Sequence, residues 1–313
     1  MGRFLQWFMR WGILGLSSAF LIKTLRDNWA DVSALHLQAG AWFYVGLALV
    51  IAIAAQLWSA VVWGFILSLL RHPVPRRWAI ITLLKNTPAK YIPGSIWHLY
   101  GRVRAAQKRG IGLEFATLSV MLEPLFVMAG ALGLALWHRS ASSPLIFCLA
   151  CILLAVHPRV LNRLWRVLRK FQGKDASTGA LRHYPASALL GALAFMGLRS
   201  ITFICVVLAF TPITWELLRP LMSGFSFAWL LSLIVPSPGG LGVFEASALK
   251  VLDTYLSPGL LLGCVTVYRL VTISAELIGA GVAYLVNEGE SRHRPKPESS
   301  LLPNTIEVFP RGS

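Results

Sequence analysis

The chain has 313 residues, of which 56% are hydrophobic and 13% charged, with a mean hydropathy of +0.64 and a formal net charge of +16. A soluble domain carries about a quarter of its residues as charges, so this composition excludes that class and points to a polytopic membrane protein. The Lys and Arg residues gather at the ends of apolar runs, not along one face, which fits membrane topology and argues against nucleic acid.

The first apolar stretch, Phe4 to Leu25, follows a basic start and lacks a small-residue cleavage site, so it reads as a retained helix. Further spans are expected over Ala41 to Leu70, Leu113 to Trp137, Pro144 to His157, Ala186 to Phe210 and Gly259 to Val286. Two other apolar regions, Trp78 to Gly110 and Leu221 to Leu256, are interrupted by Pro and Gly and are expected to dip into the membrane and return. The basic segments from Arg71, from Arg102 and from Arg159 to Arg182 are expected in the cytoplasm. Asp27 to Gly40, His138 to Ser143 and Thr211 to Pro220 are expected outside, which leaves both termini cytoplasmic.

With that orientation the two broken regions enter from opposite faces. The expected fold is therefore all-α: about six full spans plus two re-entrant regions, arranged as an inverted repeat with halves 1–140 and 141–287. A polar tail, 288–313, is expected to be disordered, and its closing FPRGS resembles the remnant of a protease-site tag.

The first break, KYIPGSIWHLY from Lys90, has Pro93 and Gly94 at the turn and a new half-helix near Ser95. Non-helical backbone at membrane depth belongs in a cavity or a buried seam, and a helix start there offers free amides to an anion. Lys90 and Arg102 add charge suited to phosphate. The second break, VPSPGGLGVFEA, carries Pro236, Pro238, Gly239, Gly240 and Gly242, followed by Glu245, for which helix capping is the alternative role.

Glu123, Arg199, Arg269 and Glu276 fall inside spans, where an unpaired charge costs about 2.5–3.5 kcal/mol, so each is expected to pair or to line a pathway. Arg269 and Glu276 are spaced to share a helical face. Internal salt bridging is the competing role for Glu276 and Arg199. His98 reads either as a phosphate or proton partner or as a packed side chain. Cys148, Cys151, Cys205 and Cys264 lie in apolar segments and read as packing groups, with no metal expected.

Taken together, AKYIPGSIWHLYGR, the His157-Pro158 pair after an apolar span, PSPGGLGVFEA, and an Arg followed seven positions later by an acid in the last span resemble the lysylphosphatidylglycerol synthase transmembrane-region family. The resemblance covers about Leu47 to Val286 and implies a membrane domain that moves lipid between leaflets. On it, Lys90, Pro93, Gly94, Arg102, Glu123, Pro238, Gly239, Gly240, Gly242, Glu245 and Arg269 carry over. No aminoacyl-transferase domain follows Val286, so the expectation is transport without synthesis. The expected activity is translocation of an anionic phospholipid or phosphorylated lipid, its headgroup held by Lys90, Arg102, Arg269 and backbone near Ser95, Gly94, Gly239 and Gly240. Glu123, Glu245, Glu276 and Arg199 would relay protons or charge. The alternatives are a polyprenyl-phosphate or glycolipid carrier of DedA-like mechanism and a membrane-embedded transferase. Membrane lipids are the expected partners, with a homodimer and a lipid-synthesising enzyme by family analogy, in a bacterial cytoplasmic membrane, with no cofactor.

Overall fold

The computed structural model describes Arg26 and residues 40–91, 96–137, 143–171, 181, 183–235 and 242–293. The expected first span, Phe4 to Leu25, lies outside them, as do Pro93, Gly94, Ser95, Pro236, Pro238, Gly239 and Gly240. The described residues form helices and connecting turns, with no strand among them.

α1 is Ala41–Leu69, a run of 29 uncharged and mostly apolar residues. It ends sharply: Arg71 adopts a left-handed φ of 67°, and the His72 amide donates back to the Leu67 carbonyl. Pro75 then opens α2, Arg76–Asn86, which a 3-10 turn over Thr87–Tyr91 extends toward the first break. α3, Trp97–Lys108, carries the chain away from it. α4 is Leu113–Ala135, with Pro124 inside the helix. α5, Ser143–Ala155, and α6, Pro158–Phe171, meet at a 54° bend between Ser143–Ala155 and Pro158–Val167. Pro158 explains the bend, because it sits at the first position of α6 and has no amide to continue the α5 ladder. α7 is Ala186–Leu208, α8 Trp215–Ile234, α9 Val243–Leu252 and α10 Pro258–His293.

Among the described residues, α1, α4, α7, α8 and α10 are each long and apolar enough to cross a membrane, as an α-helical integral membrane protein requires; the bent α5–α6 pair adds a sixth if it acts as one span. Three features differ from the sequence reading, the first being that the span expected over Pro144 to His157 is the 13-residue α5, which reaches spanning length only together with α6. The second broken region was expected to begin at Leu221, yet α8 starts at Trp215 and runs through a buried Pro220, so its 20 residues are long enough to span on their own. Pro220 is the sixth residue of α8, past the amides that lack intrahelical acceptors, so it removes the hydrogen bond to the Glu216 carbonyl while the helix continues through it. At the other end, α10 continues to His293, past the point where the disordered tail was expected to begin.

The bundle is organised around α7, which packs along α1 and α4, with α8 crossing α4 and α10 lying against α1 and α2. Close approach depends on small residues, as is common between membrane helices. A Cβ on Gly130 of α4 would lie 2.9 Å from the Ala192 carbonyl oxygen and 3.0 Å from its carbon, on the α7 backbone. Gly130→Ala is therefore expected to push α4 off α7 and cost about 1–3 kcal/mol, read as a lowered melting temperature in detergent. On the far side, Phe203, Phe225, Phe244 and Tyr268 form an edge-to-face and stacked cluster joining α7, α8, α9 and α10. The outer faces keep apolar side chains exposed, including Trp42, Phe43, Leu270, Leu277 and Leu285, as a lipid-facing surface does.

Candidate functional site

The polar interior begins with residues near the middles of three spans. Gln56 and Ser59 lie halfway along α1, Glu123 halfway along α4, and Arg199 just past the middle of α7. Helix packing turns all four inward, where they meet Glu276 of α10 and the first broken region. The result is a cavity of about 200 Å³ lined by Gln56, Lys90, His98, Arg102, Glu123 and Arg199, with Trp229 of α8 and Glu276 closing it.

Two carboxylates organise the charges. Glu276 is 1% exposed and receives Lys90 Nζ at 2.5 Å on Oε1 and the Tyr91 hydroxyl at 3.0 Å on Oε2, with Arg199 Nη2 at 3.7 Å. Glu123 pairs with Arg102 of α3 and accepts the Ser59 hydroxyl at 3.1 Å. Arg102 also lies over the Trp63 ring, 4.4 Å from its centroid, and Arg199 over Trp229 at 5.1 Å. Arginine suits both tasks, since its plane stacks while its edge donates. Pro124 follows Glu123 and removes the hydrogen bond to the Val120 carbonyl, which loosens the helix beside the carboxylate.

His98, on the short α3, is held neutral at ordinary pH: burial lowers its imidazole to about 4, and Arg102 and Lys90 push the same way. It therefore contributes polarity and no charge. The cavity wall then carries three cations, Lys90, Arg102 and Arg199, against two carboxylates, Glu123 and Glu276. One positive charge is left over.

The hydrogen-bond inventory leans the same way. Arg102 Nε, Arg199 Nε, Trp229 Nε1 and Gln56 Nε2 are buried donors with no partner among the described residues, and His98 Nδ1 is also unpaired. Among the described side chains on this wall, Gln56 Oε1 is the one unpaired oxygen acceptor. An interior wall with surplus donors and surplus positive charge matches a ligand rich in anionic oxygen.

Arg269 and Glu245 stand apart from this cavity. Arg269 Nε donates to Glu245 Oε1 at 2.8 Å, tying α10 to α9, and its guanidinium lies over Phe244. The second Glu245 oxygen accepts the Gly242 amide at 2.6 Å, so Glu245 caps α9, the alternative role named above. Gly242 has a φ of 83°, a conformation that glycine adopts without steric cost. Arg269 and Glu276 share a face of α10 but serve different partners, because seven residues separate them by about 10 Å along the axis.

The structure thus brings together Lys90, Arg102, Arg199, Glu123 and Glu276, and keeps Arg269 with Glu245 in a second pair. Reading the sequence for charges missed Gln56, Ser59 and Trp229, which are uncharged. Among the described residues no group of three or more His, Cys, Asp or Glu side chains is arranged to hold a metal. Compared with known proteins, the chain matches no family model and no curated protein.

Proposed function

We propose that the protein translocates an anionic lipid, with a phosphate-bearing headgroup, between the leaflets of the membrane. The observation that carries this reading is the mid-membrane cavity with one surplus positive charge and four unpartnered buried donors. A headgroup phosphate supplies the missing charge and accepts those hydrogen bonds, while acyl chains remain in the lipid around the bundle. Lys90, Arg102 and Arg199 hold the phosphate. Glu276 and Glu123 occupy the cations when it is absent, so that no buried charge is left alone during the empty half of the cycle.

The same ion pairs support an inverted repeat. In each half, the short helix after the break bears one charge that meets its opposite on the span that follows: Arg102 of α3 with Glu123 of α4, and Glu245 of α9 with Arg269 of α10. The two pairs have opposite polarity but occupy equivalent places in the order of elements. Two re-entrant regions related in this way give inward and outward openings around one site. The motif resemblance to lysylphosphatidylglycerol synthase membrane regions agrees with lipid as the cargo, in a bacterial cytoplasmic membrane with both termini inside. On this reading the membrane domain acts as a lipid carrier, with a homodimer and a lipid-synthesising partner following from that family reading.

The test is a vesicle assay in which acyl-labelled phosphatidylglycerol on the outer leaflet is bleached by dithionite. Vesicles containing the protein are expected to expose inner-leaflet label faster than empty ones, and Arg199→Gln is expected to return the rate to that of empty vesicles. Equal rates with and without the wild-type protein would overturn the proposal.

A further inference from the structure

Gln56 is the one cavity residue whose buried donor and buried acceptor are both unused. Its side chain is 4% exposed, and neither Nε2 nor Oε1 has a partner among the described residues. It interrupts an apolar helix of 29 residues that carries no charge, in a place where leucine would pack without any polar cost. The surrounding helices also make room for it. A Cβ on Gly279 of α10 would stand 2.9 Å from Gln56 Oε1 and 3.0 Å from Leu84 Cδ2, so the bare glycine leaves the space that the amide fills.

The other unpaired groups on this wall do not share that character: His98 offers a single ring nitrogen, which donates or accepts but not both. Arg102 Nε, Arg199 Nε and Trp229 Nε1 are donors alone and suit phosphate oxygens. Ser59, the neighbouring hydroxyl on α1, is committed to Glu123. An amide that both donates and accepts matches a group that does the same, and a hydroxyl is the smallest that does. The single surplus positive charge adds a second restriction: one negative charge balances it, which is the charge of a phosphodiester, whereas a phosphomonoester carries closer to two near neutral pH.

Building on the anion site proposed above, we infer that Gln56 is a specificity residue, and that the cavity selects a monoanionic phosphodiester lipid whose headgroup alcohol bears a further hydroxyl. Gln56 Nε2 donates to that hydroxyl and Oε1 accepts from it, while Lys90, Arg102 and Arg199 face the phosphate. The amide then separates headgroups of equal charge by whether they carry the hydroxyl.

The experiment uses the full chain in phosphatidylcholine nanodiscs and four lipids with identical acyl chains: phosphatidylglycerol, phosphatidylmethanol, phosphatidic acid and phosphatidylcholine. Bound lipid is quantified by native mass spectrometry. The wild type is expected to hold phosphatidylglycerol about tenfold more tightly than phosphatidylmethanol, the effect of one buried hydrogen-bonded group. Gln56→Leu is expected to bind both equally, at the phosphatidylmethanol level, and to melt no lower than the wild type because it removes an unsatisfied amide. Equal binding of the two diesters by the wild type, or an unchanged preference in Gln56→Leu, would overturn the assignment of Gln56 while leaving the anion site standing, with water alone serving the amide. Tightest binding of phosphatidic acid would overturn the diester selection. If no anionic lipid bound better than phosphatidylcholine, the anion-site reading would fall and this inference with it.

Discussion

Glu276→Ala is expected to destabilise the protein by about 3–5 kcal/mol, the cost of leaving buried charge without its partner. Glu276 is 1% exposed and serves Lys90, Tyr91 and Arg199 together, so a single truncation strips the counter-charge from α7 and from the first broken region. Lys90 can relieve part of the cost by releasing its proton, while Arg199 is left with its contacts to the Phe195 and Trp229 rings. The double variant Lys90→Met, Glu276→Gln removes one charge of each sign and is expected to recover most of the loss. Thermal unfolding in detergent, followed by intrinsic tryptophan fluorescence, measures both. A melting temperature for Glu276→Ala within about a degree of the wild type would mean that this ion pair does not form in the folded protein.

Arg102→Ala is expected to abolish lipid translocation. Arg102 is 5% exposed, pairs with Glu123 and stacks on Trp63, so its loss removes a cavity cation and leaves Glu123, among the described residues, with the Ser59 hydroxyl. Two causes are then mixed, a missing phosphate ligand and a weakened α3–α4 contact. The pair Arg102→Met, Glu123→Gln separates them. Methionine keeps the packing against Trp63 and glutamine keeps a partner for Ser59, so stability is expected to return to near the wild-type value while the flipping rate stays at the level of empty vesicles. Recovery of transport along with stability would reduce Arg102 to a structural tie.

Much of this architecture is written in long apolar runs. α1 and α7 begin where the hydropathy placed them and end within two residues of it, because an uninterrupted apolar run must satisfy its backbone internally and a helix is the way to do so. α8 was less legible. Its first six residues contain Glu216, Arg219 and Pro220, which look like the end of a loop; the structure shows a helix whose charged N-terminal end precedes an apolar stretch. The two Pro-Gly breaks themselves fall outside the described residues, so the expected roles of Ser95, Gly94, Gly239 and Gly240 remain part of the proposal.

The candidate site divides in the same way. Glu123, Arg199 and Glu276 announced themselves because a charge inside a span is costly and has to be compensated. Their partners did not, since spacing along one helix fixes a face and leaves depth and neighbour to the packing of others. Arg269 was grouped with Lys90 and Arg102 by charge, depth and the motif resemblance; Glu245 at the start of α9 reaches it first. Gln56 went unnoticed in a search for ionisable groups, yet a lone amide in a helix of 29 uncharged, mostly apolar residues was a visible signal of the same kind.

The central claim, an anionic lipid held in the mid-membrane cavity, is tested most directly by the lipid that stays with the protein through mild purification. Mass spectrometry is to be run on the wild type, on Arg102→Met, Glu123→Gln and on the bulk membrane from the same cells. The account predicts enrichment of one anionic lipid class with the wild type and a bulk-like profile with the double variant. A bulk-like profile for the wild type, or equal enrichment in both proteins, would contradict it.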